Sequence, residues 1–359
     1  MKIGILTFHR ALNYGAILQC FALQKYLLKL GYNVEVIDYR QPFIEKVYKI
    51  WNSSFFRTNF FHIIKILKYI YRLPYRYKRK KLFKQFIDKN LRLSQPCYSI
   101  ISTEYDIVFH GSDQIWNSKL TGGKLDPIYM GCYQLKKGSR KVSYAASFEN
   151  RQLTNDEVFT FKSMLPNFNK ISVRESGLIE RLSPLTQKTI YNVVDPTLLL
   201  TASDYDLIAT KPKVKNKYVL FYAVGPTEEA LKLAHRIAKE KQCKLIDITN
   251  KQISPNEFLG YFKYATFAVV VSFHGTVFSL MYKTNFYTYA TGTTSDIRYY
   301  NLLNGLNMGD RCIKAMPQTI EDVDFSKLDE KMQQFTAFSK DYINDIIQQS
   351  VSFQIWRID

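Results

Sequence analysis

The stretch "KIGILTFHRALNYGAILQCFALQKYLLKLGYNVEVIDY", residues 2–39, decides the fold. Residues 2–8 are an apolar run of strand length, residues 9–15 a polar loop, and residues 16–30 a helical pattern. Gly31 then sits where a left-handed helix cap is expected, and "NVEVIDY" (33–39) is a second strand. The unit is βαβ. Its apolar helix positions, Leu18, Phe21, Ala22, Leu28 and Leu30, fall on more than one face, which suits a helix held between a sheet and another layer.

The same alternation continues outward. Strand-like runs occur in "YDIVFHGSDQIWN" (105–117), "RKVSYAASF" (140–148), "KISVRES" (170–176) and "TIYNVVDPTLLL" (189–200). A polar, lysine-rich stretch at 203–217 breaks the pattern. A new series then starts with "YVLFYAVG" (218–225) and runs through "CKLIDIT" (243–249), "FAVVVSF" (267–273) and "TNFYTYA" (284–290). Near-continuous apolar strands separated by helices predict parallel sheets covered on both faces. The expected fold is α/β, two doubly wound, Rossmann-like domains facing each other across a cleft. The expected division is an N-terminal domain at 1–205 with a basic helical insertion at about 50–95, a C-terminal domain at 206–328, and a helix at 329–359 packing back across both.

The chain has 359 residues, 46% hydrophobic, enough for two cores. Five widely spaced cysteines without a CxxC pair suggest neither a disulfide framework nor a zinc site, so a reducing compartment fits. The N-terminus enters a strand directly, with no cleavable leader pattern, and no apolar run approaches the roughly 20 residues of a membrane span. A cytoplasmic protein is expected. The net charge is +19, and residues 65–89 concentrate ten Lys or Arg against one acid, Asp88. Nucleic acid, a phosphorylated substrate and an anionic membrane surface compete as partners for that segment, against a solvated basic helix.

In parallel α/β sheets, ligands bind beyond the carboxyl ends of the strands, so polar residues there are the candidates. "HRALNYGA" (9–16) offers Asn13, Tyr14 and Gly15 at a helix N-terminus, without dinucleotide-binding spacing. "HGSDQIWN" (110–117) gathers His110, Ser112, Asp113, Gln114 and Asn117, with Asp113 as a candidate base or a plain helix cap. In "SVRES" Arg174 can clamp an anion or pair with Glu175. In "VVDPT" Asp195 precedes Pro196, and an Asx turn is at least as good a reading as catalysis. In "SFHGT" His274 stands at a strand end beside Gly275, with Ser272 and Thr276 as flanking donors and a helix N-terminus that favours negative charge.

Read together, "NYGAILQCFALQKYLLKLGYNVEVIDY", "GSDQIWN", "SYAASF", "ISVRES", "VVDPTLLL" and "SFHGTVFSL" resemble, in order over residues 1–305, the polysaccharide pyruvyl transferase family. The resemblance implies a GT-B-like fold and transfer of pyruvate from phosphoenolpyruvate onto a sugar as a cyclic ketal. Such products decorate capsular and other surface polysaccharides, often on lipid-diphosphate-linked precursors. No metal or redox cofactor is implied. His274 would be the acid or phosphate contact, with Asp113 as base. Arg174, Ser272, Gly275, Thr276 and Arg298 would serve the donor, and Asn13, Tyr14, Gly15, Ser112 and Gln114 the acceptor. Many members carry arginine where this chain has Ser272, and Arg298 is the expected source of the missing charge. With lipid-linked substrates, residues 65–89 would meet an anionic inner membrane surface, and nucleic acid drops out. A nucleotide-sugar glycosyltransferase is the nearest rival, although residues 258–320 contain no Glu. A non-catalytic binder of anionic polymer or membrane is the other.

Overall fold

The computed structural model describes residues 1–50, 60–99, 102, 104–148, 151–225 and 228–355, with side chains omitted at 60–70, 295 and 350–355. Of the basic segment 65–89, the side chains of 65–70 lie outside the described residues, as do residues 51–59 of the insertion and 356–359 of the C-terminal helix.

The first sheet holds β1 (Lys2–Leu6), β2 (Asn33–Val36), β3 (Ile107–His110) and β4 (Arg140–Ser143), all parallel in the order β2-β1-β3-β4. Two short strands, β5 (Ile171–Val173) and β6 (Ile190–Asn192), continue it from β4 through isolated bridges at Val142↔Lys170 and Ala146↔Val173. Serine side chains complete that join: the Ser143 hydroxyl donates to the Ser172 carbonyl, and the Ser172 hydroxyl to the Ser143 carbonyl. The second sheet holds β7 (Tyr218–Ala223), β8 (Lys244–Asp247), β9 (Phe267–Val271), β10 (Asn285–Tyr289) and β11 (Cys312–Ile313), again parallel, in the order β11-β10-β9-β7-β8. β9, "FAVVV", is buried at every position, as a central strand covered on both faces must be.

The N-terminal helices are α1 (Tyr14–Lys29), α2 (Pro42–Val47), α3 (Phe60–Asn90), α4 (Asn155–Met164), α5 (Gly177–Leu182) and α6 (Ala202–Asp206). The others are α7 (Glu228–Glu240), α8 (Pro255–Lys263), α9 (Phe273–Met281), α10 (Ile297–Gly305) and α11 (Leu328–Ile355). The local signals are conventional: Asn13 caps α1 by accepting from the Ala16 N–H at 3.1 Å, and Ser254 with Glu257 forms a capping box on α8 behind Pro255. Every residue of α1 from Tyr14 to Gln24 is buried, because the helix lies between its own sheet and a layer formed by the Pro196–Leu198 turn and α8 of the second unit. One apolar cluster accordingly runs from Ile3 and Leu18 to Phe258, Val270 and Phe278.

α11 spans the two units. Near its start Asp329 pairs with Lys283, and further on the Tyr342 hydroxyl donates to the Ser143 carbonyl at 3.1 Å while Asp345 pairs with Lys170. Among the described residues no helix is long and apolar enough to cross a membrane.

In each sheet the strand order reverses beside the first strand, and the carboxyl ends of both sheets open on one cavity of about 530 Å³. It is lined after β1 by Phe8, Ala11, Asn13, Gly15 and Ala16, after β3 by Asp113 and Gln114, after β7 by Val224 and Gly225, and after β9 by Val271 to His274.

Candidate active site

His274 lies in the first turn of α9, whose cap is Ser272, accepting from the Gly275 N–H at 3.3 Å. Its imidazole lines the cavity, yet its Nε2 is buried and makes no hydrogen bond. That nitrogen points at Asp195 Oδ2 3.6 Å away, an ion-pair contact rather than a hydrogen bond. The nitrogen left for the cavity is Nδ1.

Gly15 sets the other side of the ring. A Cβ on residue 15 would stand 2.0 Å from His274 Nδ1, so only glycine lets the backbone of α1 lie against the imidazole. The N-terminal turns of α1 and α9, one from each unit, therefore meet at this histidine, with the positive ends of both helix dipoles turned to the cavity.

Asp195 is the residue that sequence reasoning weighed as structural and left out of the site. It does make the Asx turn: Oδ1 accepts from the Thr197 N–H at 3.0 Å and the Thr197 hydroxyl at 2.7 Å. Its other oxygen accepts from Arg174 at 2.9 Å and from the Ser112 hydroxyl at 3.4 Å, on the side that faces His274. Burial alone would raise the Asp195 carboxyl, but the His274 and Arg174 groups and the Thr197 hydroxyl outweigh it and hold it well below the usual carboxylate range. The signal was an aspartate fixed by a following proline at a strand end. What the sequence lacked was the histidine opposite, contributed by the other sheet.

Arg174 is buried and spends its donors inside the protein, on Asp195, on Glu175 at 3.0 Å and on Ser147 at 3.4 Å. Burial opposes its charge, but Glu175 and Asp195 raise its pKa above the ordinary value. Arg174 thus positions Asp195 rather than lining the main cavity, a correction to its expected place on the donor.

Four further expectations are corrected. Tyr14 is turned away from the cavity: its ring stacks on Phe258 at 4.4 Å and its hydroxyl donates to the Ile253 carbonyl, because adjacent helix positions point about 100° apart. Ser112 is fully buried behind Asp195, and its hydroxyl also donates to the Ala145 carbonyl at 3.1 Å. Thr276 is equally buried, bonded to the Ser272 carbonyl and to Thr288. Gly275 lies inside the first turn of α9, its N–H taken by the cap.

The cavity wall does bring together Asn13, Gly15, Asp113, Gln114, Ser272, His274 and Arg298. Asp113 has φ +69°, a left-handed conformation that aspartate tolerates better than most, and its Oδ1 accepts from the Gln114 N–H at 2.8 Å. Gln114 in turn accepts from Asn117 at 2.8 Å. Arg298, on α10, is half-buried in the wall that Ser272 shares. Burial and the nearby Arg174 charge lower its pKa from the ordinary value, with Glu175 opposing. A bound anion would relieve that repulsion.

Solved structures resembling the chain are distant. A functionally uncharacterised protein of Klebsiella pneumoniae is 14% identical, with 66% of this chain and 86% of that one covered and a TM-score of 0.41. A glycosyltransferase of Streptomyces is 11% identical over 94% and 95% of the two chains, with a TM-score of 0.37. UDP-GlcNAc 2-epimerase of Methanocaldococcus jannaschii is 12% identical over 94% and 93%, with a TM-score of 0.41. No curated protein matches the sequence. The family comparison is of a different kind, since it spans residues 13–293 and so takes in α1, Asp113, Arg174, Asp195 and His274 together. The chain belongs to the polysaccharide pyruvyl transferase family.

Proposed function

We propose that the cavity binds phosphoenolpyruvate and joins its central carbon to two hydroxyls of one sugar as a cyclic ketal. The observation that carries this reading is the His274–Asp195 pair, lodged where two helix N-termini and Arg298 converge. The donor brings a phosphate and a carboxylate, and this wall offers the positive groups that both require. A volume of about 530 Å³ suits a three-carbon donor with one sugar ring.

His274, protonated at Nδ1, delivers that proton to the methylene carbon of the donor, and Asp195 steadies the imidazolium through Nε2. The first sugar hydroxyl adds to the cationic carbon and gives its proton to the ring. The ring passes that proton to the bridging oxygen as phosphate leaves, and the second hydroxyl closes the ketal, giving its proton to Asp113, which returns it to the ring through solvent. Of the two protons the hydroxyls surrender, one leaves on phosphate and the other restores the proton that His274 gave to the new methyl group. Asn13 and Gln114 orient the acceptor from the opposite wall.

The acceptor in this reading is a sugar on a lipid diphosphate at an anionic membrane surface. α3 supports it by position. Arg79 donates to the Leu12 carbonyl at 2.9 Å and Lys80 to the Tyr48 carbonyl at 3.3 Å, which sets this helix beside the cavity-lining Asn13 and Tyr48. Its outer face shows Tyr71, Tyr75 and Tyr77 among Arg72, Lys78 and Lys81, all exposed. Flotation with anionic liposomes at low and high salt tests this part, and absence of salt-sensitive binding sinks it.

The central test incubates the protein with phosphoenolpyruvate and a panel of lipid-linked and nucleotide-linked sugars, following phosphate release and product mass. Stoichiometric phosphate and a pyruvyl ketal are expected. Phosphate release without ketal, or no turnover with any acceptor, would overturn the reading.

A further inference from the structure

A second cavity of about 340 Å³ lies on the far side of the Arg174–Asp195 pair and shares Phe273 and Arg298 with the first. Its floor is Glu175, whose side chain is 5% exposed. One oxygen of Glu175 accepts from Arg174, and the other, Oε2, is buried without any hydrogen-bond partner. Leaving a buried carboxylate oxygen unsatisfied is costly, so a donor is missing at that point.

The walls say what kind of donor fits. α10 presents Arg298 and Asn301 three residues apart on one face, and the Asn301 amide reaches the Ser176 hydroxyl at 3.4 Å. α11 contributes Phe335 and Phe338, also three apart, and the Phe338 ring is 52% exposed although it belongs to the cavity lining. Gly305 lets α11 approach this closely, because a Cβ there would stand 2.4 Å from the Phe335 ring. An exposed aromatic face beside amide, hydroxyl and carboxylate groups is the chemistry that receives a pyranose: ring C–H bonds on the aromatic, hydroxyls on the polar atoms.

We infer that this second cavity is a saccharide subsite, holding a sugar that neighbours the one receiving pyruvate, with Glu175 Oε2 accepting a sugar hydroxyl and Phe338 forming the stacking platform. The inference rests on the proposed transfer for the word "neighbours", but the binding itself does not depend on that reaction. α10 and α11 lie beyond residues 13–293, the part that matches the family, whereas Glu175 lies within it, so the subsite joins a wall from the matched region to two helices outside it.

The test is direct binding to an array of defined bacterial capsular and O-antigen oligosaccharides, without donor. The full chain is expected to retain at least one of them. Phe338→Ala and Asn301→Ala, both at exposed positions and checked for unchanged melting, should each weaken retention by about tenfold, while His274→Ala should retain it. Retention unaffected by both substitutions, or no saccharide retained by the unaltered chain, overturns the subsite. The transfer reading is judged separately by phosphate release. Turnover with undisturbed saccharide binding in Phe338→Ala defeats the subsite alone, whereas lost binding without any turnover defeats the transfer alone.

Discussion

His110 and His274 stand at matching places, each at the carboxyl end of a central parallel strand and each followed within one residue by glycine. At β3 both ring nitrogens of His110 are satisfied, Nδ1 by the Tyr129 carbonyl at 3.1 Å and Nε2 by the Tyr133 hydroxyl at 2.7 Å. Burial pushes its pKa down from 6.5 to about 3. At β9 the His274 ring has one buried nitrogen with no hydrogen bond, a carboxylate opposite and a cavity on its free side. The difference is in what surrounds the ring. A histidine whose two nitrogens are both spoken for holds a core together, and one held short of full satisfaction is ready to move a proton.

The contrast can be broken most forcefully at His274. His274→Asn should lower the rate of phosphate release by about 10²–10⁴-fold while leaving the melting temperature nearly unchanged, as expected of an acid–base group with few structural bonds. A rate within about threefold of the original would remove it from the chemistry. Gly15→Ala comes next. The new methyl must displace the imidazole, so kcat should fall by about 10²-fold, with a stability loss of about 1–3 kcal/mol from overpacking. Steady-state kinetics beside a urea melt separates the two effects.

Arg298→Ala should raise the KM for phosphoenolpyruvate by about tenfold or more with a smaller change in kcat, from loss of one charge-assisted contact. An unchanged donor KM would show that Arg298 does not replace the charge absent at Ser272. The smallest effect on turnover is expected at His110. His110→Gln should cost about 1–3 kcal/mol of stability and leave kcat of the folded enzyme intact.

That histidine also predicts a pH signature. It is neutral in the fold and takes a proton in the unfolded chain below 6.5, so its contribution is fully present above pH 6.5 and is lost as pH falls toward 3. Stability should drop by about 1.4 kcal/mol per pH unit in this window from this residue alone. Denaturant melts of the unaltered chain and of His110→Gln between pH 6.5 and 4.5 should differ by that slope.

Much of the scaffold was legible. Fully buried parallel strands read as unbroken apolar runs, so β7 and β9 stand out, and the βαβ of residues 2–39 follows from an apolar run, a polar loop, a helical pattern and Gly31, which takes φ +87°. His274 was legible as a polar junction between strand and helix. Tyr14 was misplaced because a loop-to-helix entry does not reveal which of two adjacent residues faces the ligand, and the answer came from Phe258 on a helix of the other unit. Ser112 and Thr276 were misplaced because small hydroxyls at strand ends serve buried carbonyls as readily as substrates.

The sequence by itself determined the two parallel sheets, the loops at their carboxyl ends and the concentration of basic residues before β3, since periodicity and composition act locally along the chain. Only the tertiary structure decided that Asp195 faces His274, that Gly15 lies under its ring, and that Arg174 is consumed inside the wall while Arg298 reaches the cavity. Each of these is a meeting of elements far apart in sequence. Their positions are set by how two apolar sheets and the helices between them pack, and no local pattern encodes the distance across a cleft.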